Sequence, residues 1–592
     1  MVQIHQGPPP GAARVAAPGF EHPGVHHHRS GTLRRYRRLL SCAALLAAPL
    51  AAAQTGGVLQ IDGDLERFAI RQHTLGRLPD LDVGAQPFNA RRVLAQLEAL
   101  ADADGVALTA VDRRLLDGFL GRARLGLLGD RVARRTPFYR DGRSPVSAEG
   151  DGYGLEASPL LDLSAGPALV NRPASDTETG AVWRLSRGAR VAGHAGRLFA
   201  EARVTENQER VPLGTREFRN SPRQAYTVTT GDPDPTYDYL RSTGLVGYRD
   251  RFVEVRAGRD RNRLGFARGS LILSDYAAEY NHVQVRANVG PASIQAVYAR
   301  FLDPPLRGVS DGDRVIPNRY GAFHRVSVRP GAGVELELFE SAIFGDRDGD
   351  GRKGFELGYL VPLNFYRAEE RDLGSPDNIL LGAGAAWQPA AGTRLYAQGL
   401  LDELVASEFF DDAWTSKWGF VLGTELADPR LPVIGRLADT DVRVEYARIR
   451  PYTYAHRGTS TAAVHYGDGL GHPAGPNVSD LTLRLAHRPS PDVELSTDVA
   501  WTVRGRNTEA ENFGSDPTRP YGDRVPEPNP TLQGVRQRVL TADASASLRV
   551  LPDAQLGLML RTLFTDDALD GRSGVVAPSV FLRWGLAEFG RR

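Results

Sequence analysis

One polar segment in the C-terminal half of the chain carries side chains that suit carbohydrate recognition. Arginine, tyrosine and histidine alternate along residues 450–456. A planar cation pairs with hydroxyl or carboxylate groups, and an aromatic ring with a polar tip stacks on a sugar face. The candidate carbohydrate-binding residues are Arg450, Tyr452, Tyr454, His456, His465 and His472. The alternative interpretation is an interfacial aromatic girdle together with a network of charges.

An acidic turn resembles the start of a calcium-binding loop. Residues 346–351 read Asp-Arg-Asp-Gly-Asp-Gly, and oxygen ligands at alternate positions followed by glycine suit Ca²⁺. Leu357 stands where an EF-hand loop needs a glutamate, and strands rather than helices are predicted on both sides. The candidate metal ligands are Asp346, Asp348 and Asp350, with a solvated tight turn as the alternative. No other cofactor is expected.

Motifs for catalysis are missing from the sequence. It contains no nucleophile elbow, no His-Glu-x-x-His and no phosphate-binding loop. Asp402 and Glu403 are adjacent in a predicted strand, so they are expected to point to opposite faces and not to flank one glycosidic bond. The 72 basic residues are matched by 71 acidic ones, which gives no support to nucleic-acid binding. A protein that is not an enzyme is expected.

A second aromatic cluster precedes the polar segment. Trp414 and Trp418 lie close in sequence to Asp411, Asp412 and Lys417. Tryptophans next to charged residues are typical of the girdle at a membrane–water interface, and the sequence predicts that position for both.

The N-terminal region has the features of an export signal. Residues 34–53 contain a basic run, a short apolar run and then small residues, which is the order of a secretory signal peptide. A membrane-spanning helix would need roughly 20 apolar residues. Residues 1–33 are interpreted as a disordered extension upstream of the true start. The only cysteine, Cys42, lies within the signal, so the mature chain is expected to have no disulfide and no thiolate site.

Residues 54–145 show helical periodicity. Asn89 is predicted to cap a helix that buries Val93, Leu94, Leu97 and Leu100, and Thr109 to cap a second helix. This segment is expected to be a small periplasmic helical unit that plugs or caps the rest of the chain.

From residue 146 to residue 592 the periodicity changes to two. Apolar side chains alternate with polar or charged ones in many segments, as in Val334, Leu336 and Leu338 with Glu335 and Glu337. Segments of this length fit transmembrane strands whose apolar side faces lipid and whose charged side faces a wet lumen. The sequence therefore predicts an all-β fold, a large transmembrane antiparallel barrel, with a soluble barrel as the alternative.

The loops and the C-terminus fit the same interpretation. Long segments rich in Pro, Gly and Asp separate the strands, and outer-membrane barrels carry long loops on one side only. The final alternating segment contains Val580, Leu582 and Trp584, with Phe589 near the end of the chain. An aromatic residue close to the end of the last strand is typical of outer-membrane barrels.

Several ordered motifs between about residues 250 and 480 resemble one family. They are Arg-Asp-Arg-Asn at 259–262, Gly-Ser-Leu-Ile-Leu-Ser-Asp at 269–275, Glu-Ser-Ala-Ile-Phe-Gly at 340–345, the run at 359–368, Leu-Gly-Ser-Pro-Asp-Asn at 373–378, Leu-Asp-Glu-Leu at 401–404 and the polar segment at 450–456. Together they are similar to the capsule assembly Wzi family, especially its branch near the gliding-motility protein RemB of Bacteroidetes-type bacteria.

The resemblance implies a bacterial outer-membrane barrel of about 18 strands, partly occluded by helices on its periplasmic side. It also implies a lectin-like role in holding capsular polysaccharide at the cell surface. The expected partners are capsular or another surface polysaccharide, outer-membrane lipid and the barrel-insertion machinery, and a monomer is expected. A gliding-motility or surface-adhesion component and a diffusion porin are the alternative functions.

Overall fold

The structure of the protein is a computed structural model. It describes residues 57–135, 139, 144–173, 177–210, 227–230, 236–302, 318–345, 347–348, 351–352, 354–361, 364–374, 377–403, 405–408, 411–433 and 435–585. The predicted signal at 34–53, the extension at 1–33 and the C-terminal Phe589 lie outside the described residues.

Within the described residues, eighteen antiparallel strands close into one barrel, and the last strand pairs with the first. The strands are β1 (Tyr153–Asn171), β2 (Glu178–Ala195), β3 (Leu198–Arg210), β4 (Thr236–Arg249), β5 (Val253–Asp260), β6 (Tyr280–Val289), β7 (Ala292–Leu302), β8 (Asn318–Gly331), β9 (Val334–Gly345), β10 (Asn378–Ala390), β11 (Thr393–Glu403), β12 (Lys417–Ala427), β13 (Thr440–Ile449), β14 (Val478–Ser490), β15 (Val493–Arg506), β16 (Val535–Leu551), β17 (Ala554–Asp567) and β18 (Gly571–Trp584). The predicted barrel is confirmed.

Shorter strands add to this wall or close local hairpins. Val146–Gly150 pairs with β1, and Thr227–Thr230 pairs with β4. Further pairs of two-residue strands are Ala85–Gln86 with Arg263–Leu264, Arg347–Asp348 with Gly351–Arg352, Arg430–Leu431 with Gly435–Arg436 and Val464–His465 with Asp468–Gly469.

The barrel wall is apolar outside and polar inside. On β9 the Leu338 side chain is 64% exposed, whereas Glu337 next to it is 2% exposed. The same alternation leaves Leu481, Trp501 and Val580 exposed on other strands. A soluble barrel would bury these apolar side chains, so the lipid-facing assignment of the alternating segments is confirmed.

The two ends of the barrel differ. Tight turns join β2 to β3, β6 to β7, β8 to β9, β10 to β11, β14 to β15 and β16 to β17, all at one end. The connections at the other end are mostly long, and they include the polar segment at 450–456. We call these the short-turn end and the long-loop end.

Among the described residues, four helices precede the barrel: α1 (Asp64–Thr74), α2 (Ala90–Asp102), α3 (Ala110–Phe119) and α4 (Gly129–Arg135). A fifth helix, α5 (Tyr366–Leu373), lies between β9 and β10. Single 3₁₀ turns occur at Leu357–Leu360, Ala406–Glu408, Thr459–Thr461 and Tyr521–Asp523. Both predicted caps are confirmed, because the Asn89 side chain accepts from Arg92 N and the Thr109 side chain accepts from Asp112 N. Among the described residues, no helix is long and apolar enough to cross a membrane.

The lumen is filled by two parts of the chain. Residues 57–135, the plug, enter from the short-turn end, and residues 261–279, the inward segment, fold in from the long-loop end. Their short strands pair with each other. Both parts join inward-facing strand residues in one buried apolar cluster, which includes Phe68, Leu94, Phe266, Leu271, Phe301 and Phe339. Burial of this much apolar surface fixes the plug inside the wall.

Buried charges hold the plug to the wall. Arg325 on β8 is fully buried and pairs with Glu337 on β9 and with Asp82 of the plug, the latter at 3.1 Å. On α1, Arg71 pairs with Asp112 at 2.9 Å and with Asp428 beyond β12 at 2.8 Å. Removing a charge from water is energetically costly, so a buried charge is stable only when it is paired. These contacts therefore specify where the plug sits.

Candidate functional site

The candidate site is built by three long loops at the long-loop end. Residues 405–408 and 411–416, residues 450–477 and residues 507–534 pack together, and we call them the loop cluster. Arg450 joins two of them, since its guanidinium donates to Asp412 Oδ1 at 2.9 Å and to the carbonyl oxygens of Ala413 and Ser416, both at 3.1 Å. Asn477 joins residues 450–477 to residues 507–534 by donating to Gln533 O at 2.9 Å and accepting from Leu532 N at 2.7 Å.

The two predicted sugar-stacking tyrosines lie inside this cluster. Tyr452 and Tyr454 are at most 1% exposed. The Tyr452 hydroxyl donates to Asn512 O at 2.8 Å, and the Tyr454 hydroxyl donates to Leu271 O of the inward segment at 2.9 Å. Their rings therefore contact protein, and Tyr454 ties the loop cluster to the inward segment in the lumen.

Backbone strain marks the same loop. Tyr452, Tyr454 and Tyr466 have φ values of 64°, 73° and 51°. Residues other than glycine hold this left-handed conformation only where surrounding contacts enforce it, and such positions concentrate at functional sites. The hydrogen bonds of the two buried tyrosines supply that enforcement.

The three predicted histidines are also part of the framework. His456 Nδ1 and Thr461 Oγ1 share a hydrogen bond of 2.7 Å, and the His456 ring packs edge-on against Tyr521. His465 packs against Tyr280 and accepts from Leu302 N at 3.0 Å. Burial is the main cause that lowers the pKa of both histidines to about 3, so both are neutral at physiological pH.

His472 has a similar position. It is 4% exposed, and its Nδ1 accepts from Ala474 N at 3.2 Å. Of the six predicted residues, Arg450, the tyrosines and His456 organise the loop cluster. His465 connects it to β7, and His472 lies against Gly269 of the inward segment.

A more accessible group lies next to these residues. The Trp414 ring packs against Tyr521 with centroids 4.7 Å apart, and the Arg524 guanidinium lies 4.3 Å from the Trp414 centroid. Trp414 and Arg524 are half-buried. The arrangement offers aromatic surface and a planar cation, which is the chemistry that recognises a carbohydrate. Tyr521 and Arg524 were not predicted from the sequence as site residues.

The two tryptophans predicted as girdle residues occupy different surroundings. Trp418 lies on the outward face of β12, where it stacks on Phe420 with centroids 6.1 Å apart. Trp414 lies in the loop cluster beyond the strand.

The acidic pair at the end of β11 departs from the sequence prediction. A β-bulge shifts the register between Leu401 and Glu403. As a result Lys417 Nζ lies 3.0 Å from Asp402 and 3.1 Å from Glu403, so the two carboxylates share one cation instead of pointing apart. Lys417 also donates to Ala455 O at 3.1 Å, which makes this group a support for the polar segment.

The candidate calcium loop falls largely outside the structure. Asp346 and Asp350 lie outside the described residues, and Asp348 is described only as backbone in the Arg347–Asp348 strand. Within the described part of the chain, no group of three or more His, Cys, Asp or Glu residues is arranged to hold a metal ion.

A closed antiparallel barrel with an apolar outer wall, a charged lumen and one long-loop end is a bacterial outer-membrane barrel protein. Within that class, the chain belongs to the family described as capsule assembly protein Wzi, whose family model matches residues 225–562. A search of curated proteins gives no match.

The chain is also similar to several solved structures. Wzi from Escherichia coli, described as an outer-membrane protein involved in group 1 capsule assembly and as a carbohydrate-binding β-barrel, aligns with a TM-score of 0.50 at 12% identity, covering 90% of this chain and 100% of that one. OccK9 from Pseudomonas aeruginosa aligns at 0.40 and 12% identity over 73% of this chain and 97% of its own. OccAB1 from Acinetobacter baumannii aligns at 0.38 and 9% identity over 72% and 96%.

Proposed function

We propose that this barrel binds and anchors capsular or another surface polysaccharide at the outer membrane in a lectin-like way. The observation that carries the proposal is that the plug and the inward segment fill the lumen while the long-loop end is built into an ordered platform. Membership of the capsule assembly family supports it, as does the description of the E. coli protein as carbohydrate-binding.

The loop cluster is the proposed glycan surface. Arg450, Tyr452, Tyr454, His456, His465 and His472 shape it, and Trp414 and Arg524 are the proposed contacts with sugar rings and hydroxyls, with the buried Tyr521 packed against Trp414. No metal or organic cofactor is required. The long loops of outer-membrane barrels face outward, which would place this surface outside the cell.

The remaining predicted features complete the proposal. Residues 34–53 would direct export and be removed, the plug in residues 54–145 would close the barrel on the periplasmic side, and residues 146–592 would be inserted as a monomer by the barrel-insertion machinery. A gliding-motility or adhesion role on the RemB-like branch remains the second candidate. Scoring capsule retention against spreading in a deletion strain separates the two.

The proposed function is tested by glycan binding to the detergent-purified barrel, using capsular polysaccharide from the same organism. We expect saturable binding to the wild type. Trp414→Ala should weaken it about tenfold, which corresponds to about 1.4 kcal/mol, because a stacking surface is lost.

Trp387→Ala is the matched control, since Trp387 is an exposed tryptophan on the outward face of β10, away from the loop cluster. It should bind polysaccharide as the wild type does. A wild type with no affinity for the capsule would contradict the proposal, and release of oligosaccharides during the incubation would contradict a non-enzymatic role.

A further inference from the structure

A groove on the outside of the barrel is independent of the loop cluster. Its cavity volume is about 950 Å³, and it lies across β8 to β12. This is within the range of ~300–1,000 Å³ that small-molecule sites occupy. Its walls are outward-facing apolar residues of the lipid-exposed surface: Val326, Leu338, Leu381, Trp418 and Phe420.

Small residues form the floor of the groove. Ala383 on β10 pairs across the sheet with Leu338 on one side and with Gly399 on the other. A methyl group placed on Gly399 would meet no atom within 4 Å. The gap between the large side chains of β9 and those of β12 is therefore open space and not a packed surface.

A separate part of the chain closes one end of the groove. Residues 354–361 and 364–374, the outer loop, leave the long-loop end and pack against the outer wall through a buried cluster that includes Phe344, Tyr359 and Tyr366. The carboxylate of Glu340 points outward from β9 and accepts from the N–H groups of Tyr366 and Arg367 at 2.9 and 3.2 Å, which anchors the start of α5. Phe365 of the outer loop lines the groove.

Exposed apolar residues of the outer loop extend the lipid-facing surface. Leu357 is 69% exposed and Phe365 is 71% exposed. In water such side chains would be unfavourable, whereas beside the apolar barrel wall they continue one membrane-contacting surface. The groove therefore opens toward membrane lipid, in the leaflet nearer the long-loop end.

A cation lies at the rim of the groove. Arg448 on β13 is the cross-strand partner of Phe420, so both side chains project from the outer face. Arg448 is exposed, and among the described residues it makes no ion pair. Phe420 and Tyr446 lie beside it with ring centroids 6.0 Å apart. A positive charge next to an aromatic row at the membrane interface suits an anionic lipid headgroup.

We propose that this groove is a specific lipid site: an acyl chain lies along Ala383 and Gly399 under Phe365, and the net negative headgroup of the same lipid pairs with Arg448. The proposal uses no glycan and does not depend on polysaccharide binding.

Native mass spectrometry of the detergent-purified barrel, titrated with phosphatidylglycerol or phosphatidylcholine, tests the site. The wild type should retain about one phosphatidylglycerol after the micelle is removed. Ala383→Phe, which fills the floor, should lower retention at least tenfold. Ala385→Phe, the same change two residues along the same outward face and outside the groove, should retain lipid as the wild type does.

Arg448→Gln should reduce phosphatidylglycerol retention to the level of phosphatidylcholine. Heat-modifiable migration on gels checks that each variant is folded, and Gly399→Phe replaces Ala383→Phe if that variant does not assemble. Equal retention by the Ala383→Phe and Ala385→Phe variants overturns the acyl-chain site. Unchanged preference for phosphatidylglycerol in Arg448→Gln overturns the headgroup contact.

Discussion

Individual charged side chains decide how firmly the plug is held. Arg325 is fully buried between Glu337 of the wall and Asp82 of the plug. Arg325→Gln leaves Glu337 buried without its cation, whereas Asp82 keeps Arg286 at 2.8 Å, and breaking a buried pair in this way costs about 3–5 kcal/mol. We expect the free energy of unfolding in lipid vesicles to fall by that amount, as measured by denaturant titration of tryptophan fluorescence.

Two further variants separate the charge effect from a loss of packing. Arg572→Gln removes an arginine whose side chain is 83% exposed and paired with Asp566, and such surface pairs contribute about 0–1 kcal/mol. Combining Arg325→Gln with Glu337→Gln should recover part of the lost stability, because fewer unpaired charges remain buried. If the double variant loses as much free energy of unfolding as the two single variants lose together, unpaired buried charge is not the cause.

Glu66 on α1 should make the plug sensitive to pH. Burial, with the neighbouring charge of Asp62 as a second cause, raises the pKa of Glu66 from 4.5 to about 8, although Arg263 acts in the opposite direction. When α1 opens, the carboxyl ionises near its ordinary pKa, while in the closed plug it stays protonated. Raising the pH from about 4.5 to about 8 therefore favours the open plug, and the effect levels off above the raised pKa.

Hydrogen exchange of the α1 amides as a function of pH measures this effect. In the wild type, protection should decrease as the pH rises through that window. Glu66→Gln is expected to remove the decrease and to raise protection at pH 7 and above, since the amide cannot ionise. The same pH dependence in both proteins would show that another group is responsible.

At the residue scale, the sequence identified the right segment but not the exposure of its side chains. Arg450 and Tyr452 were predicted from their types and spacing, and the structure places them in the loop cluster. Their burial depends on Asn512 and Asp412, which are far away in sequence, so no local pattern could reveal it. The contact of Trp414 with Tyr521 and Arg524 likewise joins two different loops.

Among the elements, the capping of α3 is linked to the barrel. The Thr109 hydroxyl accepts from Asp112 N at 3.0 Å and donates to Asp439 in the connection between β12 and β13. Thr109→Val keeps the shape and removes the cap, which should lower the local stability of α3 by about 1–2 kcal/mol. Hydrogen exchange of the α3 amides measures the change.

Thr109→Ser is the control, because serine retains the hydroxyl and is itself a good cap. It should protect α3 nearly as well as the wild type does. Equal loss of protection in the serine and valine variants would mean that the methyl group, and not the hydroxyl, stabilises this helix end.

The strands were predictable because alternation has a direct physical cause: one face meets lipid and the other meets charge, as Leu338 and Glu337 show. The caps Asn89 and Thr109 were predictable because their interactions are local. Helix α1 was missed, since its buried face is partly charged and includes Glu66 and Arg71. The inward segment and the outer loop have no periodicity, and their positions depend on contacts with distant strands.

For the molecule as a whole, the filled lumen predicts how the barrel behaves in a planar bilayer. Ions would have to pass the apolar cluster shared by the plug and the inward segment, so the intact protein should show no steady open-channel current. Replacing both Arg71 and Asp82 by alanine removes charged anchors of the plug at two separate parts of the wall, β12–β13 and β6–β8. That variant should conduct in bursts as the plug loosens, whereas Arg572→Ala should stay closed. A steady current through the wild type, as large as that of the anchor variant, would show that the plug does not seal the barrel and would favour a diffusion porin.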